Sequence, residues 1–330
     1  MEGDRRFRVL GLLTVGAVFF LILVGGVVRA SGAGMGCPDW PKCFGRWVPP
    51  TDESQLPADY QERYAHRGYG DTPFNPVKTW TEYVNRLIGV TIGLLIFLTL
   101  LASWRFRRVD PPVFWWSLAA FLLVAFQGWL GSAVVTTNLA PWMVTVHMVV
   151  ALVIAAILIY VVVRATGPRA PIARTLDEPR LGAAFGATLA LSLVQVVLGT
   201  QVREGVDEVA ATGLAREDWV DELGAVLLVH RSLSLVVLAL SVALAVLLLR
   251  ATRGVHGIEA ARVRRLAWWM VAVVAAEVVA GGLLYYLALP PILQPVHLLL
   301  AAALMGLQFA LWVLVRRSRE ASRRPVIVPA

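Results

Sequence analysis

Long apolar runs alternate along the chain with short polar segments. The length of each run is close to the roughly 20 residues that an α-helix needs to cross the hydrocarbon core of a bilayer. Eight runs can be marked, at residues 9–28, 84–104, 112–135, 141–163, 181–202, 223–249, 266–289 and 292–315. This pattern predicts an all-α integral membrane protein with eight transmembrane helices. Residues 9–28 are longer than the roughly 7–15 apolar residues of a signal peptide, so we expect this run to be retained.

The composition agrees with this prediction and excludes other classes of protein. Of the 330 residues, 58% are hydrophobic and only 16% are charged, against about 25% charged in a typical soluble domain. A soluble two-domain enzyme is therefore excluded. With only two cysteines, a disulfide-knotted secreted module is excluded as well.

The net charge of +8 is explained by where the charges lie. The segments 1–8, 104–111, 164–180, 250–265 and 316–330 hold 20 Arg and 7 acidic residues, whereas 30–81 and 203–222 hold 7 basic and 13 acidic residues. Because Lys and Arg near helix ends favour the cytoplasmic side, both termini are predicted to be cytoplasmic and the long loops extracytoplasmic. The positive charge then faces the membrane surface, and no nucleic-acid partner is expected.

The chain also repeats itself at about half its length. The segment 126–131 corresponds to 276–281, and His147 and His297 each follow a proline by six residues, at the same offset of 150. At an offset of 145, Asn85-Arg86 corresponds to His230-Arg231. We expect two pseudo-symmetric four-helix bundles in tandem. The first comprises residues 1–167 with the long outer loop 30–81, and the second comprises residues 168–330.

Ionisable residues inside the apolar runs are functional candidates, because each is costly in a bilayer unless it lines an interior site. Once the loops are removed, this group consists of Arg29, Glu82, Arg86, His147, His230, Arg231, Glu277 and His297. His230 and His297 come from different helices at similar depth, as axial ligands on opposite sides of a haem iron would. Arg203 and Arg231 are candidates to bind the haem propionates. Arg29 could equally be an interface anchor.

The two halves differ at the position of the second ligand. The first half has His147 but Asn85 where the second has His230, and it has Glu82 where the second has Leu227. Since Glu82 and Arg86 are four residues apart on one helix face, a plain ion pair is the alternative to a catalytic acid. We expect an open site in the first half and a closed cofactor site in the second.

The two cysteines, Cys37 and Cys43, both lie in the long outer loop. An extracytoplasmic compartment permits disulfides. The pair is therefore either a structural disulfide or a redox-active pair that accepts electrons or forms a transient mixed disulfide with a partner.

The segment from Gly25 to Gly45, GGVVRASGAGMGCPDWPKCFG, resembles the signature of the haem A synthase family. The Glu-Tyr-x-x-Arg sequence that begins at Glu82, together with His147, the pair His230-Arg231 and His297, also resembles this family. The resemblance implies a haem b cofactor on His230 and His297 in the C-terminal bundle. It implies haem O as substrate in the N-terminal bundle, with His147 on its iron and Glu82 as the essential glutamate. It further implies that Cys37 and Cys43 are the first-loop cysteine pair of the family.

The family oxidises the C8 methyl group of haem O to a formyl group with water as the oxygen source, for terminal oxidase biogenesis. The resemblance therefore implies a bacterial cytoplasmic-membrane enzyme that contacts haem O synthase and oxidase assembly factors, with an unknown electron acceptor. Arg29, Arg86, Arg203 and Arg231 are expected to bind propionates or support the sites.

One departure from the family pattern concerns Asn85, which stands where familiar members have histidine. The substrate iron is then five-coordinate on His147, or Asn85 or His66 contributes a second ligand. Asn85 also leaves open an alternative function, a dihaem b-type electron-transfer protein, similar to quinol oxidoreductases, that does not oxidise the methyl group.

Overall fold

Each apolar run coincides, apart from a few residues at its ends, with one long helix of the computed structural model, which describes residues 2–70, 72–166, 172 and 179–322. The eight helices are α1 (Glu2–Ala30), α2 (Pro76–Ser103), α3 (Pro111–Thr136), α4 (Pro141–Thr166), α5 (Pro179–Ala211), α6 (Gly224–Ala251), α7 (Ile258–Tyr286) and α8 (Leu293–Ser322). All eight are long and apolar enough to cross a membrane. The described residues contain no β-strand. The prediction of an all-α protein with eight transmembrane helices is confirmed.

The helix ends differ from the predicted runs where charged residues continue a helix beyond its apolar part. α5 continues to Ala211, nine residues past the predicted end, and α7 begins at Ile258, eight residues before its predicted start. Hydropathy identifies only the apolar part of a helix. The backbone hydrogen bonds of the helix continue into the adjacent charged residues. The first outer loop ends early as well, because the Asn75 side chain accepts a hydrogen bond from the backbone of Lys78 and caps α2.

Successive helices run in opposite directions and form two rings of four. In the first ring, α1, α2, α3 and α4 pack in order and α4 closes on α1; α5 to α8 pack in the same order and α8 closes on α5. The rings meet where α1 and α4 pack against α8 and where α4 packs against α5. Helices α2 and α4, and likewise α6 and α8, therefore lie diagonally opposite each other within their rings.

Both rings join their last two helices by the same tight turn. Asn138 and Leu139 have positive φ values of 53° and 61°, and Ala288 and Leu289 have values of 52° and 57°. In each turn the leucine backbone donates a hydrogen bond five residues back, of 2.9 Å in the first and 2.8 Å in the second. This likeness, at an offset of 150, supports the tandem repeat, which stays a prediction. The boundary at 167/168 lies outside the described residues.

The densely packed core of each ring lies toward one end of its helices. We call this end, which carries the start of α1, the terminal side, and the opposite end, which carries loop 31–75, the loop side. In the first ring the core includes Phe7, Ile96 and Leu158, and in the second it includes Phe185, Leu248 and Met270, all almost fully buried. The histidines of the apolar runs lie nearer the loop side, beyond these clusters.

The contact between the rings depends on a small residue in α8. A Cβ atom added at Gly306 would lie 2.9 Å from Cζ of Phe19 in α1 and 3.3 Å from Cδ1 of Ile159 in α4. The glycine therefore lets three helices of both rings approach closely, as small residues do in membrane helix packing.

Replacing this glycine should weaken the contact between the rings. We expect Gly306→Val to lower the free energy of unfolding by about 1–3 kcal/mol, the usual cost of overpacking, and to lower the unfolding temperature in detergent. Gly16→Val is the matched control, because a Cβ at Gly16 meets nothing within 4 Å among the described residues. Equal losses at both positions would contradict this interpretation of the packing.

Candidate functional site

His230 in α6 and His297 in α8 lie across the second ring from each other. Their ring centroids are 6.3 Å apart and the ring planes are inclined at 75°. A metal ion midway between the two imidazoles would lie about 3 Å from the centroid of each. That position leaves about 2 Å to the nearest nitrogen of each imidazole, the length of a metal–imidazole bond. The separation of the two imidazoles therefore suits one iron ion bound between them.

A glycine on the preceding helix lies against each intramembrane histidine. Atoms placed as Cβ at Gly199 and Gly281 would lie 3.3 Å from Cε1 of His230 and of His297, respectively. In the first ring, a Cβ at Gly131 would lie 3.6 Å from Cε1 of His147. These glycines let the imidazole edges approach the neighbouring backbone. This contact fixes the position of each imidazole among its four helices.

A polar residue lies one helical turn before each of these glycines. Nε2 of Gln127 donates to the backbone oxygen of His147, and Nε2 of Gln195 donates to that of His230, both at 2.8 Å. The polar residue before Gly281 is Glu277, whose Oε1 lies 3.1 Å from Nδ1 of His297. The internal repeat in the sequence matches position 127 with position 277, but it does not identify Gln195 and Gly199 as the equivalent residues of α5. Their spacing of four residues was the available signal.

These features fit a haem better than a metal ion bound by protein ligands alone. No group of three or more His, Cys, Asp and Glu residues arranged for a metal ion occurs within the described ranges. The buried Nδ1 atom of His230 has no hydrogen-bond partner among the described residues, and Nδ1 of His297 has only Oε1 of Glu277 nearby, at 3.1 Å. A porphyrin supplies four nitrogens to a haem iron, so two histidines from the protein are enough to complete six ligands.

In the first ring, Glu82 is a buried carboxylate that joins α2 to the outer loop. Only 4% of the residue is exposed. Its Oε2 accepts a hydrogen bond of 2.8 Å from the backbone N–H of Cys37, and its Oε1 forms an ion pair with Arg86. The ion pair named as the alternative in the sequence analysis is therefore present, and it belongs to a larger network.

Arg86 extends this network into the first loop. Its Nη1 donates to the backbone oxygens of Asp39 at 2.8 Å and Lys42 at 3.0 Å. Cys37 and Cys43, which bracket these two carbonyls, form a disulfide and are fully buried. The prediction of a disulfide is confirmed. The charged pair of α2 is held by the backbone of the disulfide-closed segment 37–43.

Aromatic side chains cover the disulfide on the loop side. Phe44 makes edge-to-face contacts with Tyr60, Tyr64 and Tyr69, at centroid distances between 5.3 and 6.3 Å. The Tyr69 hydroxyl donates to the backbone oxygen of Met35, and burial raises the pKa of this phenol well above its ordinary value. The loop is therefore a packed cap on the first ring.

The two residues proposed as a second iron ligand lie in different environments. Asn85 is in α2, one turn from Glu82, and its Oδ1 is buried without a hydrogen-bond partner in the described part of the chain. His66 is exposed in a short 3-10 turn of the loop, where its backbone oxygen accepts from Asn138 at 3.1 Å. The structure brings Asn85, but not the side chain of His66, to the α2 surface beside Glu82.

A three-residue ion cluster lies where the two rings meet. Asp207 in α5 pairs with Arg29 of α1 and, at 2.8 Å, with Arg203 one turn earlier in α5. The Nε atoms of both arginines are buried and have no hydrogen-bond partner in the described ranges. Asp207 is not among the candidates predicted from the sequence, because the charged residues of this part of α5 predict a loop. Two guanidinium groups sharing one carboxylate leave net positive charge for an anion.

Among the described residues, Arg231 joins no ion cluster. Its guanidinium carbon lies 4.1 Å from the centroid of the Tyr285 ring in α7, a cation–π contact. Such a contact holds the side chain against the outer part of α7 and leaves its N–H groups available for hydrogen bonding.

The sequence comparisons agree on one family. The model of the COX15-CtaA family, described as a cytochrome oxidase assembly protein, matches residues 8–309. A protein named Heme A synthase from Shewanella oneidensis is 32% identical over 64% of this chain and 62% of its own length. Proteins of the same name from Nitrosomonas eutropha and Granulibacter bethesdensis are 30% and 28% identical. Those matches cover 51% and 55% of this chain, and the chain spans about half the length of both relatives, 49% and 51%.

The burial of the disulfide generates a prediction about its reactivity. We expect no thiol to react with a thiol-specific reagent in the native protein, and we expect reduction to require denaturant, because access limits thiol–disulfide exchange. Thiol titration before and after denaturation, with and without reductant, measures this. A Cys43→Ser variant, which leaves Cys37 as a free thiol, is the control for detection. Rapid reduction of the native wild type would contradict the buried position.

Proposed function

Because the chain belongs to the COX15-CtaA family of cytochrome oxidase assembly proteins, we propose that it is a haem A synthase. The observation that carries the proposal is the difference between the rings. The second has two facing histidines at 6.3 Å, whereas the first has a buried acid, Glu82, beside Asn85. A ring with two facing histidines next to a ring with one histidine and a buried carboxylate suits the oxidation of a bound haem by a second haem.

The proposed reaction converts the C8 methyl group of haem O into a formyl group. The change –CH3 + H2O → –CHO + 4 H⁺ + 4 e⁻ takes its oxygen from water and releases electrons and protons. The site must therefore place a water at the methyl carbon, accept protons and pass electrons on to an acceptor, whose identity is left open.

In the second ring, His230 and His297 would hold a haem b cofactor. This haem supplies one-electron transfer between the substrate and the acceptor. The protein groups fix the two imidazoles through the glycine contacts at Gly199 and Gly281. Gln195 ties the His230 backbone to α5.

In the first ring, Glu82 would accept protons or stabilise positive charge that develops at the methyl carbon. The Cys37 N–H and Arg86 both favour its ionised form. They also fix the carboxylate, so little reorganisation is needed during the reaction. The disulfide loop thus acts as a positioning element for the acid.

His147 would bind the iron of the substrate haem, as its half-buried position in α4 beside Gly131 allows. We infer five-coordinate iron, because the amide of Asn85 is a poor haem ligand and the His66 side chain is exposed on the loop. The propionates of the haems would pair with the arginines on the loop side. Arg29 and Arg203 share Asp207 there, and Arg231 is the further candidate, whereas Arg86 supports the site by its contacts to Glu82 and the loop carbonyls.

The protein is a multi-pass membrane protein. We propose that it lies in a bacterial cytoplasmic membrane with both termini inside, since the arginine-rich segments favour that orientation. Contacts with haem O synthase and with oxidase assembly factors would deliver the hydrophobic substrate and take up the product. A dihaem electron-transfer protein is the second candidate, because Asn85 departs from a histidine pair in the first ring.

Substitution of Glu82 separates these two functions. After coexpression with a haem O synthase, we expect Glu82→Gln to retain haem b and to lower haem A formation by about a hundredfold or more, as loss of a general base does. Extracted pigments are separated by chromatography. Glu62→Gln, which changes an exposed loop carboxylate, should behave as wild type. Undiminished haem A in Glu82→Gln would overturn the assignment, and absence of haem A in wild type would favour the electron-transfer protein.

Substitution of the histidines tests the cofactor site. We expect His230→Ala and His297→Ala each to abolish the low-spin haem b spectrum, because each removes one axial ligand. His147→Ala should leave that spectrum intact and abolish haem A formation. His256→Ala, at an exposed position between α6 and α7, is the matched control. A haem b spectrum that survives both second-ring substitutions would contradict the proposed ligands.

A further inference from the structure

Glu277 is a largely buried carboxylate in α7 that the proposed reaction does not use. Its side chain is 15% exposed, and it belongs to the apolar run of α7. Its Oε1 lies 3.1 Å from Nδ1 of His297, and its Oε2 has no hydrogen-bond partner among the described residues. The described residues place no arginine or lysine in an ion pair with it. A carboxylate so placed in a bilayer needs a positive charge nearby.

The corresponding positions show that a carboxylate is not needed for packing. Gln127 and Gln195 each precede a histidine-facing glycine by four residues, as Glu277 precedes Gly281. Both glutamines donate to the backbone oxygen of the histidine. Glu277 cannot donate in this way when it is ionised, and it lies at the imidazole instead. With a carboxylate in place of an amide, the contact is therefore made to the imidazole of the histidine instead of its backbone oxygen.

The position of this carboxylate is significant if the imidazole is an iron ligand. A ligating histidine that is hydrogen-bonded through its other nitrogen to a carboxylate becomes a stronger electron donor. With two neutral imidazoles, the ferric haem core carries one net positive charge and the ferrous core carries none. A fixed negative charge in a medium of low dielectric constant therefore stabilises the ferric form over the ferrous form.

We propose that Glu277 is a positioning residue that orients His297 and lowers the reduction potential of the second-ring haem. The inference rests on the proposed haem site at His230 and His297 and extends it to the reactivity of the cofactor. A lower potential makes the haem a better donor to the final acceptor. It also makes the two axial histidines unequal, since His230 has no such carboxylate among the contacts that the structure describes.

The test is a redox titration of the purified holoprotein at one fixed pH, followed by the visible spectrum. Glu277→Gln introduces the amide that the chain already carries at positions 127 and 195. We expect the haem content to stay the same and the ratio of ferrous to ferric haem at a given potential to rise at least tenfold. That change equals an upward shift of about 59 mV for a one-electron couple.

The matched control is Glu259→Gln, at the start of the same helix and about 27 Å away along its axis. Its carboxylate pairs with Arg262, and its removal should leave the potential unchanged. Equal potentials in wild type and Glu277→Gln, with haem bound in both, would overturn the role of Glu277 alone. Absence of haem from the wild type would overturn the proposed site and this inference with it.

Should Glu277→Gln lose its haem, Glu277→Asp decides the question. The shorter side chain keeps the charge but withdraws it from the imidazole. An upward shift of the reduction potential by less than about 59 mV supports the proposal. A potential equal to that of wild type overturns it.

Discussion

Polar groups inside a bilayer must find their partners within the protein, and the arrangement of both rings depends on this constraint. Each histidine-bearing helix therefore meets a polar residue from the helix before it. The requirement is strongest for the charged pair of α2, because water is not available to solvate it. The first loop supplies what water would have supplied, in the form of the Cys37 N–H and the carbonyls of Asp39 and Lys42. A loop that covers the ring is thus also part of the ring's interior.

The sequence predicts much of the fold, because apolar length translates directly into membrane spans. It predicts less well where helices extend into water, as at residues 203–211 and 258–265, since the charged residues there give no apolar signal. Histidines and carboxylates in the apolar runs were identifiable because they are costly in that environment. The cross-helix contacts were not. Nothing in the spacing of Glu82 and Cys37, which are 45 residues apart, predicts that a side chain and an amide meet. The same holds for Arg29 and Asp207, 178 residues apart.

The two rings illustrate how a common scaffold diverges at a few positions. The turn geometry, the helix order and the glycine–histidine contacts are shared. Among the ionisable and ligand-forming positions of the apolar runs, the differences include an asparagine for a histidine at 85, a glutamate for a leucine at 82 and a glutamate for a glutamine at 277. Each of these changes alters charge or ligand capacity while it leaves the surrounding packing groups in place. The chemistry of a ring can therefore change without rebuilding its helices.

The tight turns between α3 and α4 and between α7 and α8 make the chain intolerant of length changes at these points. A residue inserted at the helical start of α4 or α8 would rotate the rest of that helix relative to the turn by about 100° and shift it by about 1.5 Å. His147 and His297 lie six and four residues into those helices, so either insertion would turn an imidazole out of its bundle. The connection 212–223 between α5 and α6 is longer and largely exposed. Natural variation in length should therefore accumulate there, and the two hairpin turns should keep their residue number.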